Sequence, residues 1–401
     1  MSGPLTGVKI IDLTSMVSGP LATMTLADQG ADVIKIEAPA GDHARHVSRG
    51  QGGFSAAFLN NNRNKRSVVL NLKKAEGLEA LFRLVEGVDV LIQNFRPGVA
   101  ERIGVGEDAV RSVNPSIVYV SICGFGFEGP YAQKPVFDPL IQALSGLTTV
   151  QAGSDEDRPR LVRTILPDKL TGIQGAQAIA AALFARERTG EGQHVRLSML
   201  DTLVSFLWSS DMGGHTFVGN EMTVEKAQSF IDLVYETKDG FVSIAIQQNK
   251  DWQGFARAVE RPELGEDERF LTPALREKFK NERMAITQEE VRRFVTADIL
   301  ERLEEQDVPC APVLTRREMR DHPQVAANNV VMESDHPQAG RLRQARHPAE
   351  FSQTPAKLRF GAPVLGEHTH EILSEAGFSE DEIETLLQSE AIFTARTAER
   401  A

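Results

Sequence analysis

"GVKIIDLTSMVSGPLATMTLADQGADVIKIE", residues 7 to 37, decides the fold. The apolar runs at 7–13 and 31–37 are short and rich in Ile and Val, so each reads as a strand. Between them "SMVSGPLATMTLADQG" (15–30) has the length of a helix and closes on Gly30, the residue type that ends helices. A strand, a helix and a strand within about 30 residues make a βαβ unit, whose two strands run parallel. The rhythm continues through "SVVLNLK" (67–73), a helix over 75–86, "DVLIQNF" (89–95), a further helix and "SIVYVSICGFG" (116–126). This predicts an α/β fold with a mostly parallel sheet covered by helices on both faces. Ligands of such sheets sit beyond the carboxyl ends of the strands, here the loops at 16–19, 38–49, 94–98 and 124–130.

The rhythm changes after about residue 225. "LVYETKDGFVSIAI" (233–246) holds two strand-like runs joined by Asp239-Gly240, a hairpin signal. Charged helical segments follow, including "TQEEVRRFVTADILERLEEQ" (287–306), and predict a smaller α+β domain. The expected division is a large domain over 1–225, the small domain over 226–325 and a C-terminal segment over 326–401.

Forty-four Lys and Arg against 56 Asp and Glu give a net charge of −12, which repels phosphate backbones and anionic membranes. No nucleic acid or membrane partner is expected. Cys123 and Cys310 lie far apart without C-x-x-C spacing and read as small buried hydrophobes of a reducing, cytoplasmic compartment. The first residues carry no basic segment followed by an apolar one, and no run reaches the ~18 uncharged apolar residues of a membrane span.

"GFGFEG" (124–129) matches G-x-G-x-x-G, but Pro130 and Pro135 follow it where a dinucleotide-binding fingerprint would open a helix. Its glycines read instead as a loop that lets backbone approach a ligand. "NNNRNKRSVVLNLKK" (60–74) gathers Arg63, Lys65, Arg66, Lys73 and Lys74 in an acidic chain. A solvated basic face is the default reading, and a phosphate grip is the alternative. His368 and His370 are spaced two apart at a helix start, a poor geometry for metal, so surface or capping roles are expected and no metal site.

In "RTILPDKLTGIQGAQAIAAALFARERTGEG" (163–192), Asp168 precedes a long helix pattern with an apolar stripe at Ile173, Ala176, Ala180 and Leu183. Following Pro167, Asp168 suits an N-cap that accepts backbone N–H bonds. Such amides hold a carboxylate ionised and weaken it as a nucleophile, so any electrophile it attacks must be an activated acyl group such as a thioester.

With these segments, "NFRPGVAERIG", "FDPLIQALSG" and "GAPVLGEHTHEIL" taken in order, the chain resembles the class III coenzyme A transferases from residue 5 to about 375. That group contains formyl-CoA transferase, carnitine CoA-transferase and the α-methylacyl-CoA racemases. The resemblance implies a Rossmann-like large domain completed by the C-terminal segment, a small domain inserted in it, and an interlocked homodimer. It implies an acyl-CoA thioester and a carboxylic acid as substrates, with no permanently bound cofactor. Asp168 would be the catalytic nucleophile, forming an aspartyl anhydride and then an aspartyl-CoA thioester. Leu70, Leu72, Lys73, Asn94, Phe95 and Arg102 would contact CoA, Lys73 and Arg102 at its phosphate or adenine end and Asn94 with Phe95 along the pantetheine. Val17 and Ala38 stand where formyl-CoA transferase has a ligand-contacting Gln and an adenine-stacking Arg, and Arg45 is the candidate replacement for the latter. The glycine-rich lid of that enzyme has no counterpart near "AIQQNKDW".

The racemases of the group pair an Asp at this position with a His, and the His position falls on Phe137, which cannot move a proton. CoA transfer is therefore the expected activity, with racemisation or another CoA-thioester isomerisation as the alternative. A non-catalytic acyl-CoA binder is a third reading, and it requires an Asp168 wholly consumed by helix amides and sealed from any cleft.

Overall fold

Six parallel strands form the centre of the larger of two compact units: β1 (Lys9–Asp12), β2 (Asp32–Glu37), β3 (Lys65–Leu70), β4 (Val90–Gln93), β5 (Val118–Cys123) and β6 (His194–Ser198). Their order is β3-β2-β1-β4-β5-β6, and the C-terminal strand Ile392–Phe393 pairs antiparallel with β3 at that edge. The computed structural model describes residues 3–226 and 232–395. The larger unit comprises Met1–Gln228 and Val330–Ala401, and the smaller one Ser229–Asn329.

Period-two alternation explains why both faces of the sheet are apolar. Ile10, Val90, Ile92, Val118 and Val120 point to one side, under α1 (Ser18–Asp28) and the long helix Leu166–Thr189. Ile11, Leu91 and Tyr119 point to the other, which is covered in part by α2 (Ala75–Val85), α3 (Glu107–Val113) and the late helices Thr369–Glu375 and Glu380–Gln388. The chain leaves β1 for β2 and β3, then crosses to the other side of β1 to lay down β4. This reversal opens a crevice between the ends of β1 and β4.

After α4 (Asp138–Leu144), the long helix is α5 (Leu166–Thr189). Its buried stripe runs through Gly172, Gly175, Ala176, Ile179 and Leu183, whereas Ile173 is 60% exposed, so the expected stripe was partly out of phase. Gly172 is required by contact: a Cβ there would lie 2.8 Å from the Ser18 carbonyl oxygen and 3.0 Å from the Leu21 Cβ. The glycine lets α5 press its first turns against the start of α1.

Apart from the exposed Lys73, the cations of the basic run at 63–74 form neither a solvated face nor a phosphate grip. Arg63 is buried against Asp28 at 2.6 Å, Lys65 is fully buried with its ammonium 3.0 Å from Asp12, and Arg66 bridges Asp32, Glu371 and Glu375. Lys74 bonds the Ser389 carbonyl, and only Lys73 of the five is exposed. These cations answer the carboxylates of neighbouring strands, since a buried charge needs a partner. Burial alone would raise the Asp12 carboxyl, but Lys65, Lys35, Thr14 and Thr23 outweigh it and hold it at about 2. Burial is the stronger influence on Lys65, pulling its ammonium down to about 8 against the attraction of Asp12.

In the smaller unit, Val234–Glu236 and Phe241–Ile244 form the expected hairpin, and Cys310–Pro312 adds a third antiparallel strand. Trp252, Phe255, Phe270, Ile299 and Leu303 lie in its core. The segment 287–306 is split between two helices, Lys280–Val291 and Thr296–Glu305. The break follows from Asp239, whose carboxylate takes the Thr296 N–H at 2.7 Å and its hydroxyl at 2.8 Å, starting a new helix there. Among the described residues no helix is long and apolar enough to cross a membrane.

The buried pair of the larger unit gives a stability test. Lys65→Met leaves Asp12 with one ammonium neighbour instead of two and should lower the free energy of unfolding in urea by about 3–5 kcal/mol. A change under about 1 kcal/mol would show that the pair is dispensable.

Candidate active site

A cavity of about 220 Å³ lies at the reversal point. Ser15, Met16 and Ser18 line it after β1, Asn94, Phe95, Arg96 and Pro97 after β4, and Gly124 and Phe125 after β5. Lys134, Phe137, Asp138, Asp168 and Met199 complete much of the rest. Cys123 also lines it, and burial pushes its thiol up to about 11, which keeps it protonated at neutral pH.

Asp168 is not the helix cap. Helix α5 begins at Leu166 with Ile165 at the cap position, so Pro167 and Asp168 occupy its second and third residues. The Asp168 N–H is instead received by the Asp138 carboxylate at 3.2 Å, and the other Asp138 oxygen accepts the Gln142 amide at 2.6 Å. A carboxylate thirty residues upstream thus does the capping, which leaves the Asp168 side chain free to face the cavity. The direction of its pKa shift is also the reverse of what a cap would give. Burial, together with the nearby charge of Asp138, pushes the Asp168 carboxyl up from 3.8 to about 6, with only the Ser18 amide acting the other way.

Side chains hold the turn that carries Ser18. The Thr14 N–H goes to Asp12 at 2.9 Å, the Ser15 N–H to the Asn94 carbonyl at 3.0 Å and the Met16 N–H to Asp42 at 3.1 Å. The Asn94 amide returns a bond to the Ser15 carbonyl at 2.8 Å, and Lys35 donates to the Thr14 carbonyl at 2.8 Å. The Lys35 ammonium also lies 3.0 Å from Asp42. Met16 sits at φ 69°, a left-handed backbone that a bulky residue adopts only under constraint.

Of the residues given a catalytic or CoA-contacting role from the sequence, Asp168, Asn94 and Phe95 share this cavity. Leu70, Leu72, Lys73 and Arg102 do not line it. Leu70 is 1% exposed and paired in the sheet with Ile392, so its side chain has no surface to offer a ligand. Strand β3 spans 65–70 rather than 67–73, which leaves Leu72 packed on the core edge and Lys73 exposed in the following turn. Arg102 is exposed at the end of the short helix Val99–Arg102. Ala38 is exposed, but Arg45 cannot stand in for an adenine-stacking Arg there. Its guanidinium is locked onto Glu37 at 2.7 and 2.9 Å and lies 3.8 Å over the Phe58 ring. Phe206 and Trp208 are about half exposed and line neither the core nor this cavity.

Asp138, Ser18, Arg96 and Lys134 were missed by sequence reasoning as individual residues. The one available signal for Asp138 was an Asp-Pro pair at a helix start inside "FDPLIQALSG". Among the described residues no group of three or more His, Cys, Asp or Glu could hold a metal ion.

Comparison with known proteins places this geometry in a family. The profile of CoA-transferase family III matches residues 5–369. The formyl-CoA:oxalate CoA-transferase of Streptomyces coelicolor is 31% identical, with 97% of this chain and 99% of that protein aligned. The succinyl-CoA:mesaconate CoA-transferase of Haloarcula marismortui is 35% identical over 94% of this chain and 97% of its own length. The succinate–glutarate CoA-transferase of Agrobacterium fabrum is 32% identical over 93% and 95%. A crystal structure of a CAIB/BAIF family protein from Brucella suis superposes with a TM-score of 0.81 at 30% identity, covering 94% of this chain and all of that one. A parallel sheet with its cavity at the reversal point, and a family match over nearly the whole length, make this chain an enzyme of CoA-transferase family III.

Proposed function

We propose that the chain moves coenzyme A from an acyl-CoA thioester to a carboxylic acid, with Asp168 as the nucleophile. The Asp168 carboxylate attacks the thioester carbonyl, the C–S bond breaks, and CoA leaves as thiolate from an aspartyl anhydride. The thiolate then attacks the aspartyl carbonyl, forming an aspartyl-CoA thioester and releasing the donor acid. The acceptor carboxylate opens that thioester to a second anhydride. Attack of the thiolate on the acceptor's acyl carbon completes the transfer and restores Asp168. Each step exchanges one acyl bond for another, so no oxidant or outside proton source is needed.

The observation that carries this reading is the Asp168 carboxylate facing a cavity while Asp138 takes over the capping of its helix. This is the opposite of the sealed, cap-bound Asp that a passive binder requires. A carboxylate raised to about 6 keeps more nucleophilicity than an ordinary one and is still largely ionised at neutral pH. Arg96 and Lys134 line the cavity, and the Arg96 guanidinium has no ion pair among the described residues. Two of the relatives described above are named for succinate or succinyl-CoA. Together these features favour a small dicarboxylic acyl donor such as succinyl-CoA, and about 220 Å³ suits an acyl group and thioester rather than a whole nucleotide.

We further infer that Lys73 and Arg102, both exposed, serve the CoA phosphate end, and that Asn94 and Phe95 border the pantetheine. The working unit in this reading is the interlocked homodimer implied by the resemblance, in a cytoplasmic compartment. Ile173, Phe184, Phe206, Trp208, Phe217 and Val218 are exposed apolar residues of the larger unit that a second copy would cover. Phe137 lines the cavity and no histidine among the described residues does, which disfavours α-proton exchange.

Initial rates with succinyl-CoA and a panel of acceptor acids should show ping-pong kinetics. Proton exchange into deuterated water without CoA transfer would overturn the assignment in favour of racemisation. Asp168→Asn should lower transfer at least ~10³-fold and also stabilise the fold. The folded carboxyl is raised to about 6, so its favourable contribution is complete below 3.8 and is lost as pH rises through 6. Removing the buried charge should therefore add on the order of 1–3 kcal/mol at pH 7, read by thermal or urea unfolding. Asp138→Asn removes a neighbouring negative charge, so the acid limb of the kcat/KM profile should move to lower pH. An unmoved limb would remove Asp138 from the electrostatics of the site.

A further inference from the structure

Behind the Asn94–Phe95 wall of the cavity, a line of hydrogen bonds runs out to a half-buried histidine. The Phe95 N–H donates to Gln93 Oε1 at 2.7 Å, and the Gln93 amide donates to Ser121 Oγ at 2.9 Å. Ser121 Oγ lies 2.9 Å from His194 Nε2, and His194 Nδ1 lies 2.6 Å from a Glu107 carboxylate oxygen. Gln93 and Ser121 are buried on the neighbouring strands β4 and β5, His194 is on β6, and Glu107 starts α3.

The backbone end of the line fixes the orientation of Gln93. A backbone N–H can only donate, so the Gln93 oxygen must face Phe95 and its NH₂ must face Ser121. Ser121 Oγ accepts from Gln93 and carries one hydrogen of its own, which reaches His194 Nε2 when that nitrogen is unprotonated. The imidazole proton then sits on Nδ1, aimed at Glu107. Arg196 Nε, 3.4 Å from the same Nδ1, is too distant to compete with the 2.6 Å contact. Neutral His194, protonated on Nδ1, satisfies every group in the line.

We propose that the Glu107–His194–Ser121–Gln93 chain is a positioning relay that, with His194 neutral, fixes the Phe95 amide and the adjoining Asn94 clamp on the turn facing Asp168. Its link to catalysis rests on the reading of this cavity as the site of transfer, whereas the relay itself does not. Protonation would place a hydrogen on Nε2, aimed at an oxygen that already accepts from Gln93. Ser121 is only 3% exposed, so its hydroxyl would then need a new acceptor among strand carbonyls, or the Gln93 amide would turn over and set its NH₂ against the Phe95 N–H. Either response loosens the wall that holds Ser15 through Asn94.

The charges around His194 oppose one another. Burial lowers its pKa from the ordinary histidine value and Arg196 acts in the same sense, whereas Glu107 and, more weakly, Glu101 raise it, with a net lowering. Arg111 approaches Glu107 at 3.7 Å from one turn along α3. Tyr119 presents its ring edge-on to the imidazole, and its phenol, raised by burial, stays neutral while donating to the Val105 carbonyl. Neutral His194 is thus the resting form at pH 7, and the relay weakens as pH falls below the ordinary histidine range.

The test follows the His194 ring nitrogens and the Phe95 amide by nuclear magnetic resonance on the full chain between pH 8 and 5. The Phe95 amide should shift with the His194 midpoint in wild type. In Ser121→Ala that coupling should vanish while His194 still titrates, and in His194→Gln the Phe95 shift should have no histidine component. Asp168 titrates near the same range and remains in both variants, so it serves as the internal control. In turnover, Ser121→Ala should lower kcat roughly 10-fold, as expected for misplacement of the wall beside Asp168. A Phe95 amide that ignores His194 in wild type, or follows it equally in Ser121→Ala, would overturn the relay whether or not the protein transfers CoA.

Discussion

The turn between β1 and α1 has its three N–H groups at Thr14, Ser15 and Met16 taken by the side chains of Asp12, Asn94 and Asp42. The rest of the site depends on that arrangement. A turn held by its own backbone would keep its shape in many contexts, whereas this one is held by side chains, two of them carboxylates within a buried set of charges. Lys35 and Lys65 neutralise Asp12, Lys35 also neutralises Asp42, and Arg45 does so for Glu37. Removing one member would leave another charge buried without its partner, which is far costlier than losing a surface ion pair. Met16 is kept in a left-handed backbone by this frame, and the Ser18 amide is delivered opposite Asp168.

The second half of the site comes from α5. Gly172 allows the helix to approach Ser18, and Asp138 satisfies the orphaned amide at its start. The division of labour between two aspartates has an energetic consequence. Each carboxylate could cap a helix, but together they crowd, and the crowding with burial raises Asp168 to about 6. The site thus holds an ionised group at some expense to folding, a common arrangement where reactivity is required.

Much of the architecture was readable from residues 7–37 and the repeats of their pattern, because parallel strands buried on both faces leave continuous apolar runs. Those runs also located the loops that meet at the cavity. The charges behaved differently. Lys65 and Arg63 looked like surface residues, since an isolated cation rarely enters a core and the carboxylates that receive them, Asp12 and Asp28, lie 53 and 35 residues away. Asp168 was singled out, but its placement as a cap was off by three positions, because Pro167 occurs inside the first turn as readily as before it. What relieved it of capping was Asp138, a tertiary partner whose Asp-Pro pair marks the start of its own helix and says nothing of Asp168. The guess for Arg45 failed for the same reason: its partners, Glu37 and Phe58, are set by the fold.

The claim at the centre of this account is that the Asp168 side chain becomes acylated. Wild-type enzyme and Asp168→Ala would be mixed with an acyl-CoA donor, trapped with hydroxylamine or borohydride, and digested for peptide mass spectrometry. The account predicts a trapped derivative on the peptide containing Asp168 in wild type and none in the variant. A derivative on any other residue, or donor consumption with Asp168 unmodified throughout, would contradict it.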